Sequence, residues 1–303
     1  MAGRDRKAQA QPAPRSTLRY ERRMTTSHPT VTLNNGITIP QVGFGTFKIP
    51  ADDTQRAVES AIGSGYRHID TAAGYYNEAG VGAAVRASSV AREDLFVTTK
   101  LRNGDQGYES TLTAFENSRV ALGLDYVDLY LIHWPYPSEG LYVETWRAFE
   151  KLYADGVVRA IGVSNFLPEH LTTLLESADV VPAVNQIEVH PTFQQRSLAS
   201  DSRAAGITVE AYSPLGRGED LESDVVVAIA EAHGVTAAQT VLRWHVQNGH
   251  IIIPKSTDPE RIASNLDLFG FELSAQEMAD ITGLETGQRL GSDPATAAFT
   301  QYR

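Results

Sequence analysis

Gly65-Tyr66-Arg67-His68-Ile69-Asp70-Thr71-Ala72-Ala73-Gly74-Tyr75-Tyr76-Asn77-Glu78 reads as a short apolar strand that stops at Asp70, a loop of small residues, and a helix beginning near Asn77. A carboxylate and a phenol therefore sit together where a strand ends. The same unit recurs along the chain. Short β-rich runs at 41–46, 66–71, 95–100, 127–134, 159–165, 183–190, 207–215 and 250–256 are separated by helix-like segments. Among these are 52–65, with Asp52 or Asp53 as cap, and 143–156, with Gly156 as stop. Upstream, Val31-Thr32-Leu33-Asn34-Asn35-Gly36-Ile37-Thr38-Ile39 alternates apolar and polar residues around an Asn-Asn-Gly turn, a β-hairpin signal.

Eight strands alternating with helices predict parallel pairing, and eight is the number that closes a (β/α)8 barrel. The expected fold is thus α/β, a TIM barrel with an N-terminal β-hairpin. An open doubly wound sheet is the alternative. It is disfavoured because no G-x-G-x-x-G follows the first strand, and Gly216-Arg217-Gly218 lies late and lacks the third Gly. The 303 residues suit one such barrel, expected over 28–303. Residues 1–27 are Ala, Pro, Gln and Arg without apolar periodicity, so a disordered basic extension is expected there, with Met24 as an alternative start.

Apolar content of 42% and charged content of 21% are ordinary for a soluble globular chain, and no apolar run approaches the roughly 20 residues of a membrane helix. Cysteine is absent, which removes disulfides, thiolate metal sites and thiol nucleophiles. With no signal-peptide core either, a cytoplasmic location is expected. A net charge of −11 argues against a nucleic-acid binder. Residues 1–23 carry seven Arg/Lys against Asp5 and Glu21, so the remainder is near −16 and any anion site must be local. No H-E-x-x-H, G-x-S-x-G or Walker loop is present, so no metal or hydrolytic centre is expected.

In a barrel, function gathers at the C-terminal ends of the strands. Those positions are Phe47, Asp70, Lys100, His133-Trp134, Ser164-Asn165, Gln186, Tyr212 and Lys255-Ser256. Lys100 and His133 each close an apolar run, where burial penalises them. Alone, either could be a snorkelling lysine or a core histidine. Together they converge on one mouth. A phenol has a pKa near 10, and an ammonium roughly 4 Å away attracts the phenolate by about 4 kcal/mol at an effective dielectric of about 20, which lowers that pKa. The roles that follow are acid/base for Tyr75, activator for Lys100, clamp of the ammonium for Asp70, and orientation of a reducible carbonyl for His133.

These residues stand in order with Gly65-Tyr66-Arg67-His68-Ile69-Asp70-Thr71-Ala72, Asn77-Glu78, Thr99-Lys100, Leu129-Tyr130-Leu131-Ile132-His133-Trp134, Ile161-Gly162-Val163-Ser164-Asn165, Asn185-Gln186 and Ile253-Pro254-Lys255-Ser256. From about Val31 onward the chain resembles the aldo-keto reductases, in the prokaryotic branch that includes 2,5-diketo-D-gluconic acid reductase. The resemblance implies a catalytic tetrad of Asp70, Tyr75, Lys100 and His133, and a monomer that reduces aldehydes and ketones, keto-sugar acids or small dicarbonyls among them. The implied cofactor is NADPH, with NADH less favoured. Ser164, Asn165 and Gln186 would hold the nicotinamide carboxamide, and Tyr212 would stack on its ring. Ser213-Pro214-Leu215-Gly216 would span the pyrophosphate, and Lys255, Ser256, Thr257, Arg261 and Asn265 would take the adenosine phosphate.

Two departures stand out. Asp258 occupies a position where some relatives are basic, and Leu101-Arg102-Asn103 replaces a common Leu-Trp-Asn. Arg102 would then either favour an anionic substrate, such as a keto acid, between apolar walls from Phe47, Tyr76 and Trp134, or be a surface arginine that points to water. Short loops after Lys100 and Leu215 suggest an open, tolerant site. An NADP(H)-binding sensing or accessory subunit is the alternative function, and the intact tetrad disfavours it.

Overall fold

The computed structural model describes residues 29–300, so the expected extension over 1–27 lies outside the described residues. The chain begins with an antiparallel hairpin, β1 (Thr30–Thr32) and β2 (Thr38–Pro40), with Val31 opposite Ile39. Gly36 makes its turn at φ 85°, a left-handed conformation open to glycine. There follow β3 (Phe44–Gly45), α1 (Ala51–Ser64), β4 (His68–Asp70), α2 (Glu78–Ala87), β5 (Phe96–Leu101), α3 (Tyr108–Leu122), β6 (Val127–Ile132) and α4 (Tyr142–Ala154). The second half runs β7 (Val158–Ser164), α5 (Pro168–Leu175), β8 (Val184–Glu188), α6 (Arg196–Ala204), β9 (Thr208–Tyr212), α7 (Asp224–His233) and α8 (Ala237–Gln247). It ends with β10 (Ile251–Ile252), α9 (Pro259–Leu266) and α10 (Ala275–Thr282).

Strands β3 to β10 pair in sequence order, all parallel. The ring closes where Val42 bridges Ile252 and the Gly43 amide donates to the Ile252 carbonyl at 2.7 Å. Gly45 lies on this seam, and a Cβ there would stand 2.8 Å from the Ile253 carbonyl oxygen. The result is the expected (β/α)8 barrel. Alternation along each strand divides the core in two. Val97, Tyr130, Ile132, Val163 and Ile187 face outward onto helix residues such as Ile62, Phe115, Phe149 and Leu171. Phe96, Leu129, Leu131, Ala160, Val184 and Ile251 face inward and pack on Leu33 and Ile39 of the hairpin.

The hairpin is therefore a plug at the N-terminal ends of the strands. Asn34 Nδ2 donates to the Pro182 carbonyl at 3.0 Å and Asn35 Nδ2 to that of Arg159 at 3.0 Å, fixing it beneath β7 and β8. Regular pairing is shorter than the sequence suggests: 66–71 contracts to His68–Asp70 and 250–256 to Ile251–Ile252. Single backbone hydrogen bonds still join the strands past those points, from the Thr71 amide to the Thr98 carbonyl at 2.9 Å and from the Gly45 amide to the Pro254 carbonyl at 3.1 Å. The cap of α1 also differs, because Pro50 occupies it and Asp52 and Asp53 lie in the first turn, where their charge favours the helix dipole.

Gly82 in α2 lies against the end of α3, where a Cβ would coincide with the Leu122 carbonyl that the Arg86 guanidinium also meets. In an open helix Gly→Ala stabilises by roughly 0.5–1 kcal/mol. Here the sign reverses, and Gly82→Ala lowers the unfolding free energy by about 1–3 kcal/mol by forcing α2 from α3. A urea midpoint shifted downward at constant slope is the expected result; an unchanged or higher midpoint would show that the helices separate without cost.

Candidate active site

Adjacent strands β4 and β5 place Asp70 opposite Thr98, so the inward Lys100 rises just above the carboxylate. Lys100 has no exposed surface. Its Nζ donates to Asp70 Oδ1 at 2.6 Å, to the Thr71 carbonyl at 2.9 Å and to the Tyr75 hydroxyl at 3.3 Å, which uses all three ammonium protons. Tyr75 ends a short 3-10 turn, Ala73–Tyr75, and its ring packs on Phe47 at 5.0 Å and edge-on to His133 at 5.5 Å. Asn77 pins the loop that presents it, accepting from Thr71 Oγ1 at 2.9 Å and donating to the Thr46 and Ile49 carbonyls at 3.0 and 3.2 Å. Glu78 takes the Thr99 hydroxyl at 2.6 Å and ties α2 to β5. The four residues read as a tetrad thus meet at one point.

The electrostatics differ from the sequence reading in one respect. The Tyr75 phenol is pushed well above its ordinary range, not below it, by burial and then by the charges of Asp70 and Glu210. Lys100 is already paired with Asp70, so little of its field is left to favour a phenolate. Burial pushes the Asp70 carboxyl up, while Lys100 and the Gln186 Nε2 donor at 2.9 Å pull it back. Burial and the Lys100 charge hold His133 well below its usual value, so its imidazole is neutral.

Around the tetrad, Ser164 Oγ donates to the Gln186 carbonyl at 2.8 Å, and Asn165 Nδ2 donates to the His133 carbonyl at 2.9 Å. Asn165 sits at φ 63° and receives the Tyr212 hydroxyl at 2.7 Å, which fixes the tyrosine ring at the rim. Ser213 (φ 49°) and the buried Gly216 (φ 55°) turn the chain tightly after Leu215, and a Cβ on Gly216 would strike the Asp220 carboxylate. At the start of α9, Lys255, Thr257 and Arg261 are exposed while Ser256 and Asn265 are buried. Asp258 caps α9, accepting the Glu260 and Arg261 amides at 2.9 and 3.0 Å, which accounts for its departure from a basic residue. Amides and a hydroxyl at the mouth, with an exposed Lys/Arg pair beside it, suit a nicotinamide dinucleotide.

Two expectations about the pocket need correction. Arg102 is not a free cation: Asp105 grips its guanidinium in two bonds of 2.7 and 3.0 Å, a pair three residues apart that local sequence already allowed. Nor is the mouth open on that side. The C-terminal segment crosses it, with Phe299 edge-on to the buried Trp134 at 5.2 Å and its carbonyl bound by Asn103 Nδ2 at 2.8 Å. Gly74, Arg102, Asn103, His133, Phe299 and Thr300 line the resulting hollow; Tyr76 is not among them, and is 57% exposed with its hydroxyl hydrogen-bonded to Arg102.

Sequence reasoning also missed a second buried cluster. His190 has Nε2 3.2 Å from Glu188 Oε1 and Nδ1 2.9 Å from Asp220 Oδ2. Glu188 in turn accepts the Leu290 and Gly291 amides at 2.6 and 2.9 Å. His190 therefore ties β8 to the segment after Gly216 and to the C-terminal segment over the mouth. Glu188 and His190 follow the motif at Gln186, but only their fold-level partners reveal the role.

The sequence signature of the Aldo/keto reductase family matches residues 41–286. The chain belongs to the aldo/keto reductase family. It is 57% identical over 272 residues to an aldo-keto reductase of Mycolicibacterium smegmatis, covering 90% of this chain and 99% of the relative. Against the glyoxal reductase of Bacillus subtilis the identity is 49% over 276 residues, 91% of this chain and 99% of that one. A mutant of Gox0644 solved in complex with NADPH superposes with a TM-score of 0.87 at 46% identity, covering 90% of this chain and 100% of that one. This aldo-keto reductase is accordingly an NAD(P)H-dependent oxidoreductase that binds a nicotinamide cofactor.

Burial alone would lower the His190 pKa, but the hydrogen bonds and charges of Asp220 and Glu188 outweigh it and raise the value from 6.5 to about 9. A folded-state pKa above the unfolded one stabilises fully below pH 6.5 and ceases to do so as pH rises through about 9. The reductase's thermal midpoint should fall across that window, and His190→Gln should lose this part of the slope. An identical slope in the variant would show that the imidazolium contributes nothing.

Proposed function

We propose that the protein reduces aldehydes and ketones to alcohols, small dicarbonyls among them, with NADPH as cofactor and Tyr75 as proton donor. The observation that carries this reading is a single buried ammonium, Lys100 Nζ, held at 2.6 Å by Asp70 and lying 3.3 Å from the Tyr75 hydroxyl at the mouth of the barrel. When bound, NADPH supplies the hydride to the carbonyl carbon. The side chains manage the proton and the charge. Tyr75 begins as a neutral phenol, because burial and the nearby carboxyls disfavour its anion. As the substrate oxygen gains charge its basicity rises, and it takes the Tyr75 proton; the ammonium at 3.3 Å then faces the new phenolate directly. His133, neutral and ring-packed on Tyr75, orients the substrate oxygen without adding a competing cation.

Asp70 and the Thr71 carbonyl keep the ammonium aimed while its third proton serves the phenol. Ser164, Asn165 and Gln186 would hold the nicotinamide amide, with Tyr212 against its ring and residues 213–216 along the pyrophosphate. The exposed Lys255 and Arg261, which have no ion-pair partner among the described residues, support a 2′-phosphate and hence NADPH over NADH. The likeness to a glyoxal reductase supports a small dicarbonyl as first substrate to try. With Arg102 neutralised by Asp105, the pocket has less reason to select an anion.

Tyr75→Phe should lower kcat for glyoxal reduction by about 10²- to 10⁴-fold while NADPH binding, followed by tryptophan fluorescence, is unchanged. Retained turnover would remove Tyr75 from the role. Wild-type protein that binds NADPH tightly yet reduces no aldehyde would instead point to a sensing or accessory subunit. Arg261→Ala should raise KM for NADPH about tenfold or more and leave that for NADH unaltered. Equal losses with both cofactors would place Arg261 away from the 2′-phosphate.

A further inference from the structure

We propose that Glu210, on the floor of the site, is a positioning residue for this reaction: it must hold its own proton so that Lys100 faces one carboxylate and Tyr75 can yield its proton. The inference rests on the carbonyl-reductase reading above. Glu210 points inward from β9 with no exposed surface, and nothing in its local sequence, Thr208-Val209-Glu210-Ala211-Tyr212, explains a carboxyl inside a barrel. One amide bridges it to the tetrad: Gln186 Nε2 donates to Asp70 Oδ2 at 2.9 Å and to Glu210 Oε2 at 3.1 Å. The other oxygen, Oε1, makes no hydrogen bond among the described residues and faces His68 Nε2 at 3.6 Å.

The groups around it come from every neighbouring strand. His68 and Asp70 face it from β4, Lys100 from β5 and Gln186 from β8; Ile251 on β10 brings no charge, and Tyr75 lies above. Of the two carboxyls Lys100 touches only that of Asp70 among the described contacts, and His68 is neutral, its pKa pulled to about 3 by burial and by Lys100. Two carboxylates would then share one ammonium in a volume without water access. The buried site would carry a net negative charge beneath the phenol that has to become an anion. That is the wrong sign for catalysis. A neutral Glu210 removes it and still accepts the Gln186 amide. Burial first, and then the Asp70 charge, raise the Glu210 carboxyl to about 8, so it is protonated at neutral pH and becomes a second anion just above.

Two measurements test this, one independent of turnover and of cofactor. In protein labelled with ¹³C at the glutamate carboxyl, one resonance should titrate near 8 and be absent from Glu210→Gln. In protein labelled at the tyrosine Cζ, the resonance lost in Tyr75→Phe should ionise at lower pH in Glu210→Gln than in wild type. In turnover, wild-type carbonyl reduction should fall roughly three- to tenfold from neutral to mildly alkaline pH, and that fall should be absent from Glu210→Gln. Glu210→Met serves as a second permanently neutral variant if the amide does not fold. A Glu210 resonance in the ordinary carboxylate range, or an alkaline fall that persists in both variants, overturns the proposal. Absence of any wild-type turnover overturns the reductase reading instead, while the two resonances still decide the state of Glu210 and its coupling to Tyr75.

Discussion

An ammonium with no exposed surface is the constraint on which the rest of this structure depends. Lys100 can stay charged inside the barrel only if each of its protons has an acceptor, and the three acceptors come from Asp70, the Thr71 carbonyl and Tyr75. Two of them sit at the end of the neighbouring strand, so parallel register between β4 and β5 is a condition of the site. Asp70's remaining oxygen is met from across the barrel by Gln186, 116 residues away in sequence, which requires the sheet to be curled shut. Buried ion pairs contribute little net stability, yet removing one partner costs about 3–5 kcal/mol because the other is left uncompensated. The pair is therefore better understood as an arrangement for chemistry that the fold must keep intact.

Neutrality is the complement of that arrangement. His68, His133, His245 and His250 are all held below their ordinary values by burial, so the interior has few charges that could compete with Lys100. His190 is the exception, and among the described histidines it alone has a carboxylate on each side. Its position marks a division of labour. One buried cation faces the Tyr75 hydroxyl, and another fastens two segments far apart in sequence.

Much of this was legible in the chain itself. The alternation of strand-like and helix-like runs predicts the barrel because the periods 2 and 3.6 survive in burial on both sides of each strand. Asp70, Tyr75, Lys100 and His133 stand out as candidates because each ends a strand or follows one closely, and the fold brings the four side chains together. What escaped was whatever depends on contacts between distant segments. Glu210 looks like any polar residue in a β-run until the barrel turns it inward beside Asp70. The direction of the Tyr75 shift escapes for the same reason, since counting Lys100 alone ignores burial first and then the carboxyls around the phenol. Phe299 and the crossing of the mouth lay in a C-terminal stretch with no periodicity to interpret. Arg102 differed in kind: Asp105 was in plain view, but whether a guanidinium turns to a pocket or to a neighbour is settled by side-chain geometry.

The hairpin plug and the C-terminal crossing give the two ends of the described chain opposite surroundings. The N-terminal hairpin lies beneath the barrel floor, sealed by Leu33 and Ile39, whereas Phe299 and Thr300 lie beside His133 at the mouth. For handling the protein this makes the termini unequal. The point of attachment for a purification handle is set by this: the described chain starts against the closed face, and at Thr300 it stops beside His133 at the mouth.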